Sequence, residues 1–224
     1  GVAIIAQNNA DYLPSTVSQF YHVADDLVVV DGGSIDGTLD WAKRFGARVF
    51  FRKFENDFGA QKNYAISQLE TDWVFSIDTD ERLEPTLAFL LPDLMSPEGQ
   101  RKLMSQRILP HSEEPFDCFG FARRDIIDGA QTENYPDYQY RLFRNYCRWE
   151  GKVHEKLVGY RNKAEVDFAR PGRDGVETLK LDFPPELSIV DDGSSSRFNI
   201  LHYKSSKTKK KQEKLYRLIM EGEQ

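Results

Sequence analysis

Trp73-Val74-Phe75-Ser76-Ile77-Asp78-Thr79-Asp80-Glu81 is a short apolar run that breaks into acids. Residues 73–77 suit a strand, and the acids then stand at its carboxyl end. Working backwards, 61–69 reads as a helix, 48–51 as a strand, and 39–45 as a helix stopped by Gly46. Residues 27–30 (Leu-Val-Val-Val) form an aliphatic run without polar alternation, the mark of a parallel strand covered on both faces. Residues 13–21 suit a helix with Pro14 in its first turn, and 2–5 a buried strand. The order β-α-β-α-β-α-β predicts an α/β fold with a Rossmann-like, mostly parallel central sheet and flanking helices.

Beyond residue 85 the regularity fades. A helix is expected over 85–94, ending near Pro92 and Pro97, followed by strands at 116–123, 138–144 and 153–158. Residues 160–195 mix charge, Gly, Pro and Ser and carry no assignable element. A last strand at 200–203 precedes an amphipathic helix over 205–221. The division expected is a single domain: a ligand-binding half over 1–95, a less regular half over 96–203, and a basic terminal helix over 204–224.

Composition narrows the class. The chain has 224 residues, 40% hydrophobic and 29% charged, which is a globular balance and excludes wholesale disorder. No apolar run approaches the roughly 20 residues that span a bilayer. The start shows no basic–apolar–small cleavage pattern. Cys118 and Cys147 lack any metal-ligand spacing, and with no disulfide framework the expected compartment is the reducing cytoplasm. The net charge of −6 hides an asymmetry: between Lys204 and Arg217 seven basic residues face one acid, Glu213, leaving a strongly acidic remainder. That remainder argues against general nucleic-acid binding, which needs a broad basic face. The basic segment itself reads as the solvated face of a helix, or more sharply as a peripheral contact with anionic lipid at the inner face of a membrane.

In open α/β sheets, ligands sit outside the carboxyl ends of the strands. Two strands here end in acids. The second runs into Asp31-Gly32-Gly33-Ser34-Ile35-Asp36-Gly37-Thr38, where Asp31 at the tip suits a ribose or a base N–H, and the same residues equally suit a turn with a helix cap. The fourth runs into Asp78 and Asp80, which on extended backbone point to one side and repel unless a cation lies between. A hard divalent ion, Mg²⁺ or Mn²⁺, meets that need when a diphosphate adds oxygens. The plain reading is that Asp80 or Glu81 caps the next helix. Three rivals fail. A haloacid-dehalogenase-type phosphatase wants Thr or Val where Arg82 stands. A dinucleotide dehydrogenase needs Gly-x-Gly-x-x-Gly, and residues 6–13 contain no glycine. No Gly-Lys-Ser/Thr phosphate loop occurs.

Taken together the motifs resemble the family-2 glycosyltransferases, inverting enzymes with the GT-A fold. The resemblance runs through Ile4-Ile5-Ala6-Gln7-Asn8, residues 28–38, Phe58-Gly59-Ala60-Gln61-Lys62-Asn63-Tyr64-Ala65 and residues 72–81. It resumes at Tyr135-Pro136-Asp137-Tyr138-Gln139-Tyr140-Arg141-Leu142-Phe143-Arg144 and Val153-His154-Glu155-Lys156-Leu157, a pattern similar to the bacterial subgroup that includes lipopolysaccharide-core glucosyltransferases.

The resemblance implies transfer of a hexose, with inversion, from a nucleoside-diphosphate sugar, a UDP-hexose above all, to a hydroxyl of a glycan or glycolipid acceptor in bacterial envelope synthesis. Asp31 would contact the base, Lys62 would lie near the nucleotide, and Asp78 would bind the ribose or donor sugar. Asp80 would hold Mn²⁺ or Mg²⁺, with His202 completing that site and His154 as its competitor. Asp137 would be the general base. Arg141 and Arg144 would pair with phosphate or an acidic acceptor. The chain departs from the pattern at Asn9, where an acid is usual, and in having only Gly129 on the approach to Asp137. The alternative reading is a GT-A-like domain that binds a nucleotide sugar or glycan without transfer. Slow donor hydrolysis separates the two.

Overall fold

The computed structural model describes residues 1–132, 137–166 and 200–221. The first half follows the expected alternation: β1 (Val2–Ala6), α1 (Leu13–Ser18), β2 (Leu27–Asp31), α2 (Thr38–Arg44), β3 (Arg48–Phe51), α3 (Phe58–Ser67) and β4 (Trp73–Ser76). Helix α3 starts three residues earlier than expected because the Asp57 side chain accepts from the Ala60 N–H at 2.7 Å, capping the helix.

The strands alternate between two cores. Val2, Ile4, Leu27, Val29 and Phe75 pack on one face of the sheet with Leu13 and Val17 of α1. Ala3, Val28, Val30 and Val74 pack on the other with Ala65 and Ile66 of α3. Each Val, Leu, Ile or Phe among them contributes about 1.5–3 kcal/mol on burial, so both faces of these strands are committed and only their ends remain for chemistry.

Next come β5 (Glu81–Leu83), α4 (Pro85–Met95) and α5 (Pro97–Ser105). Two expectations need correcting here. Pro92 lies inside α4 rather than ending it, on the exposed side, while Leu87, Leu91 and Leu94 hold the buried stripe. Pro97 opens an unforeseen helix, whose cap Ser96 accepts from the Gly99 N–H at 3.0 Å.

The back half supplies β6 (Cys118–Ile127), β7 (Ala130–Gln131), β8 (Asp137–Arg144), β9 (Arg148–Glu150), β10 (Lys156–Val158), β11 (Lys163–Val166), β12 (Ile200–Lys204) and α6 (Ser206–Glu221). The strand expected over 153–158 is confined to β10. Tyr135 and Pro136, and residues 167–199, lie outside the described residues. No helix among the described residues is long and apolar enough to cross a membrane.

The main sheet runs β3-β2-β1-β4-β8-β6-β12-β5, with β7 and β11 also on β6. The β3-β2-β1-β4 part is parallel, and β8 enters antiparallel between β4 and β6. That reversal decides the site. The start of β8 lies at the carboxyl end of β4 and its finish at the amino end, where Arg144 pairs with Trp73. Facing β6, β8 carries an irregularity: Leu142 pairs with Phe119 and Tyr140 with Gly120, so Arg141 is the extra residue of a bulge.

Candidate functional site

At the end of β2, Asp31 is 2% exposed and its carboxylate accepts from the N–H groups of Gly33 (2.9 Å) and Ser34 (3.1 Å). Gly33 has φ +111°, a left-handed conformation that glycine adopts without strain. The loop after β1 is laced to this turn. Asn8 N–H donates to Ser34 Oγ at 2.9 Å, Ile35 N–H to Asn8 Oδ1 at 2.9 Å, and Asn9 N–H to Thr38 Oγ1 at 2.8 Å. Asp36 accepts from the N–H groups of Ala10 and Thr38. Asp31 is thus at the strand tip as expected, with its oxygens occupied in shaping the turn.

Asp78 and Asp80 sit on a turn rather than on extended backbone, because the Glu81 N–H closes onto the Asp78 carbonyl at 3.1 Å. The rule that residues two apart share a side therefore does not apply, and the two acids meet different partners. Arg82 fixes the turn by donating to the carbonyls of Thr79 (3.1 Å) and Tyr12 (2.9 Å). Asp78 Oδ1 is 3.8 Å from Lys62 Nζ, and its Oδ2 accepts from Arg141 Nη2 at 2.9 Å.

Lys62 is buried on α3, 3.1 Å from Glu155 Oε1 and over the Trp149 ring at 4.9 Å. Gly59, in the first turn of α3, lets the helix approach the Gly151 loop closely, since a Cβ there would come within 2.4 Å of the Gly151 carbonyl. Arg141 also donates to Glu81 Oε1 at 2.6 Å, and both residues are almost wholly enclosed. Burial opposes the charge on Asp78, but Lys62 and Arg141 outweigh it and hold the carboxyl far below the usual carboxylate range. Burial likewise opposes the Arg141 charge, and Glu81 and Asp78 raise its pKa above the ordinary arginine value.

Asp80 faces His202 of β12, with Oδ2 3.3 Å from Nε2. On the other side of the ring, His202 Nδ1 is 2.7 Å from Asp125 Oδ1. Burial lowers the imidazole pKa, yet the hydrogen bonds to Asp125 and Asp80 push it up to about 9. Arg123 continues the chain of charges: it lies 3.1 Å from Asp125, 2.7 Å from Asp137 and 3.9 Å from Glu81. Asp137, first residue of β8, also accepts from Gln139 Nε2 at 3.0 Å. Asp78, Asp80, Asp137, Arg141, Lys62 and His202 are therefore gathered in one cleft.

Three expected site residues are not in that cluster, and one of them, Asp31, stays with its own turn at the end of β2. Arg144 lies at the opposite end of the sheet, its guanidinium over the Trp73 ring at 4.2 Å, because β8 runs antiparallel to β4. The expectation that it meets a phosphate is corrected accordingly. His154 is exposed at φ +54°, its ring 5.4 Å from that of Tyr216, and His202 is the histidine beside Asp80.

An imidazole nitrogen and a carboxylate oxygen facing each other, with Asp125 orienting the far side of the ring, are a donor set suited to a divalent cation. Among the described residues no group of three or more His, Cys, Asp and Glu is assembled for a metal, so a bound ligand must add oxygens. Helix α6 closes this side. Tyr216 packs edge-on against Phe58 at 5.6 Å, and its hydroxyl accepts from Gln212 Nε2 at 2.6 Å. Burial, then Asp78 and Glu155, push its pKa up to about 12. A cavity of about 200 Å³ remains beneath the helix.

Sequence reading missed Glu81, Arg123, Asp125, Glu155 and Tyr216 as members of the cluster. Arg123 and Asp125 did carry a signal, since residues two apart on a strand share a face. Tyr216 carried none, because nothing local shows where a terminal helix docks.

Residues 1–96 match the family described as Glycosyl transferase family 2. An uncharacterized glycosyltransferase of Rickettsia prowazekii is 30% identical over 162 residues, covering 67% of this chain and 55% of that protein. A lipopolysaccharide core biosynthesis glycosyltransferase, LpsC of Rhizobium meliloti, is 33% identical over 98 residues, 42% of this chain and 36% of the relative. The crystal structure of TarS from S. aureus superposes with a TM-score of 0.50 at 13% identity over 74% of this chain and 34% of that one, a likeness of fold alone. The chain spans about half the length of the Rickettsia relatives it matches.

Proposed function

From a chain that carries a Glycosyl transferase family 2 domain over residues 1–96 in a GT-A fold, we propose metal-dependent, inverting transfer of a hexose from a UDP-sugar to an acceptor hydroxyl in bacterial envelope glycan synthesis. What carries the reading is the single cleft that holds the Asp80–His202 pair and Asp137, linked through Asp125 and Arg123. The lipopolysaccharide role named for the Rhizobium relative supports the envelope assignment.

In the proposed reaction the acceptor oxygen attacks the anomeric carbon, its proton passes to an Asp137 oxygen, and the bond from that carbon to the diphosphate oxygen breaks. Attack opposite the leaving group inverts the centre. Arg123 holds the Asp137 carboxylate in place, and Lys62 supplies positive charge near the departing diphosphate. Asp80 and His202 would hold Mn²⁺ or Mg²⁺, which neutralises developing diphosphate charge when bound. Asp31 acts by shaping the turn on which the base rests, and Asp78 faces the ribose or donor sugar.

Helix α6 presents Lys207, Lys210, Lys211 and Lys214 to solvent together with exposed Leu218 and Met220, which suits contact with an anionic bilayer at its inner face. Salt-sensitive co-sedimentation with acidic vesicles tests that contact. The transfer reading is tested by incubating the protein with UDP-hexoses and Mn²⁺. Slow release of UDP without acceptor supports it, whereas UDP binding with no release supports a non-catalytic binding domain.

A further inference from the structure

The cavity under α6 has an unusual charge balance. Its lining includes Arg123, Asp125 and His202 of the cluster above, with Lys204 from β12 and Lys209 from α6. Arg123 is occupied by Asp125 and Asp137, and Asp125 by His202 and Arg123. Lys204 bonds the neutral amide of Gln212, and among the described residues Lys209 makes no ion pair. One acid remains on the wall, Glu213, and it pairs with neither lysine among the described residues. Two lysines from different elements, neither held by an acid among the described residues, therefore line one small space and offer an anion two cations to pair with.

The register gives the side of the cleft. Asp137 pairs with Arg123, so Asp125 and Ile127 step along β6 past Asp137, while His202 pairs with Glu81 and keeps one wall of the cavity beside the Asp78–Asp80 turn. His202 and Lys204 pair in register with Asp125 and Ile127. A volume of about 200 Å³ is below the roughly 300 Å³ that encloses a whole small ligand, so the space suits a substituent rather than an entire molecule.

We propose that this cavity binds an anionic group, phosphate or carboxylate, carried by the acceptor, with Lys204 and Lys209 as its cations. The word acceptor rests on the transfer reading above. The anion site itself does not.

The test is calorimetric titration of the protein with inorganic phosphate, with and without saturating UDP and Mg²⁺. The expected result is saturable binding that UDP leaves unchanged. Lys204→Gln with Lys209→Gln should weaken it by about tenfold or more, as loss of two charge-assisted contacts implies. Lys43→Gln removes the same charge from an exposed position on α2, outside the cavity, and should leave binding unchanged. An equal melting temperature confirms that each variant folds. Displacement of phosphate by UDP would assign the site to the donor diphosphate and overturn the proposal. So would undiminished binding in the double variant, or no saturable binding in the parent chain. Failure of UDP to bind would instead count against the transfer reading, and the phosphate titration would still decide the cavity.

Discussion

The Arg123 guanidinium lies 2.7 Å from the Asp137 carboxylate, and it also approaches Asp125 and Glu81. One side chain of β6 thereby joins the first residue of β8 to the acids that follow β4. Asp137 and the Asp78–Asp80 turn are brought to the same cleft although nearly 60 residues separate them in the chain.

Asp137→Asn keeps the size of the side chain and removes the proton acceptor. Release of UDP from a UDP-hexose should fall by a factor on the order of 10²–10⁴, with UDP affinity retained. Full release at the parent rate would reject the base assignment.

Asp80→Ala removes one half of the pair with His202. In the parent chain UDP should bind more tightly with Mn²⁺ than without it, and in the variant that difference should vanish. Calorimetric titration of UDP with and without the metal reads this directly. A metal effect of the same size in both proteins would exclude Asp80 as a ligand.

Arg141 and Arg144 should behave as opposites. Arg141 is enclosed with Glu81, so Arg141→Ala strands a buried carboxylate and should cost about 3–5 kcal/mol of stability, measured by urea unfolding. Arg144→Ala removes a stacked guanidinium at the far end of the sheet. It should cost only about 0.5–1 kcal/mol and leave UDP affinity unchanged. A clear loss of UDP binding would restore the expectation that Arg144 meets phosphate.

Asp117 offers a test by pH away from the cleft. Burial opposes its charge, but the Tyr146 hydroxyl and the N–H groups of Asn162 and Arg161 hold its carboxyl below the ordinary 3.8. The unfolded chain then binds this proton more readily than the folded one. The resulting stabilisation is complete above the ordinary value and drains away as the pH falls through the lower folded value. Asp117→Asn should therefore cost about 1–3 kcal/mol near neutrality, with the gap to the parent chain closing in acid. A gap independent of pH would show that the carboxylate charge plays no part.

Much of the fold was legible because the first half obeys local rules. Leu27-Val28-Val29-Val30 has no polar alternation, so it had to be a strand covered on both faces, and the acids after it and after β4 had to lie at open strand ends. Pro92 misled because a proline normally ends a helix, whereas here burial of Leu87, Leu91 and Leu94 outweighs the lost hydrogen bond. The pairing of Asp78 and Asp80 on one side misled because the expected strand gives way to a turn after Ser76.

The amino-acid order by itself determined the alternating front half, the acids at the strand tips and the basic terminal helix, since each follows from hydrophobic period and from charges close together in the chain. Tertiary structure alone decided that β8 runs antiparallel, that a bulge puts Arg141 against Asp78 and Glu81, and that His202 rather than His154 stands beside Asp80. These depend on strand direction and register between distant segments. The energy that sets them comes from packing two sheet faces and pairing enclosed charges, which no short window of residues contains.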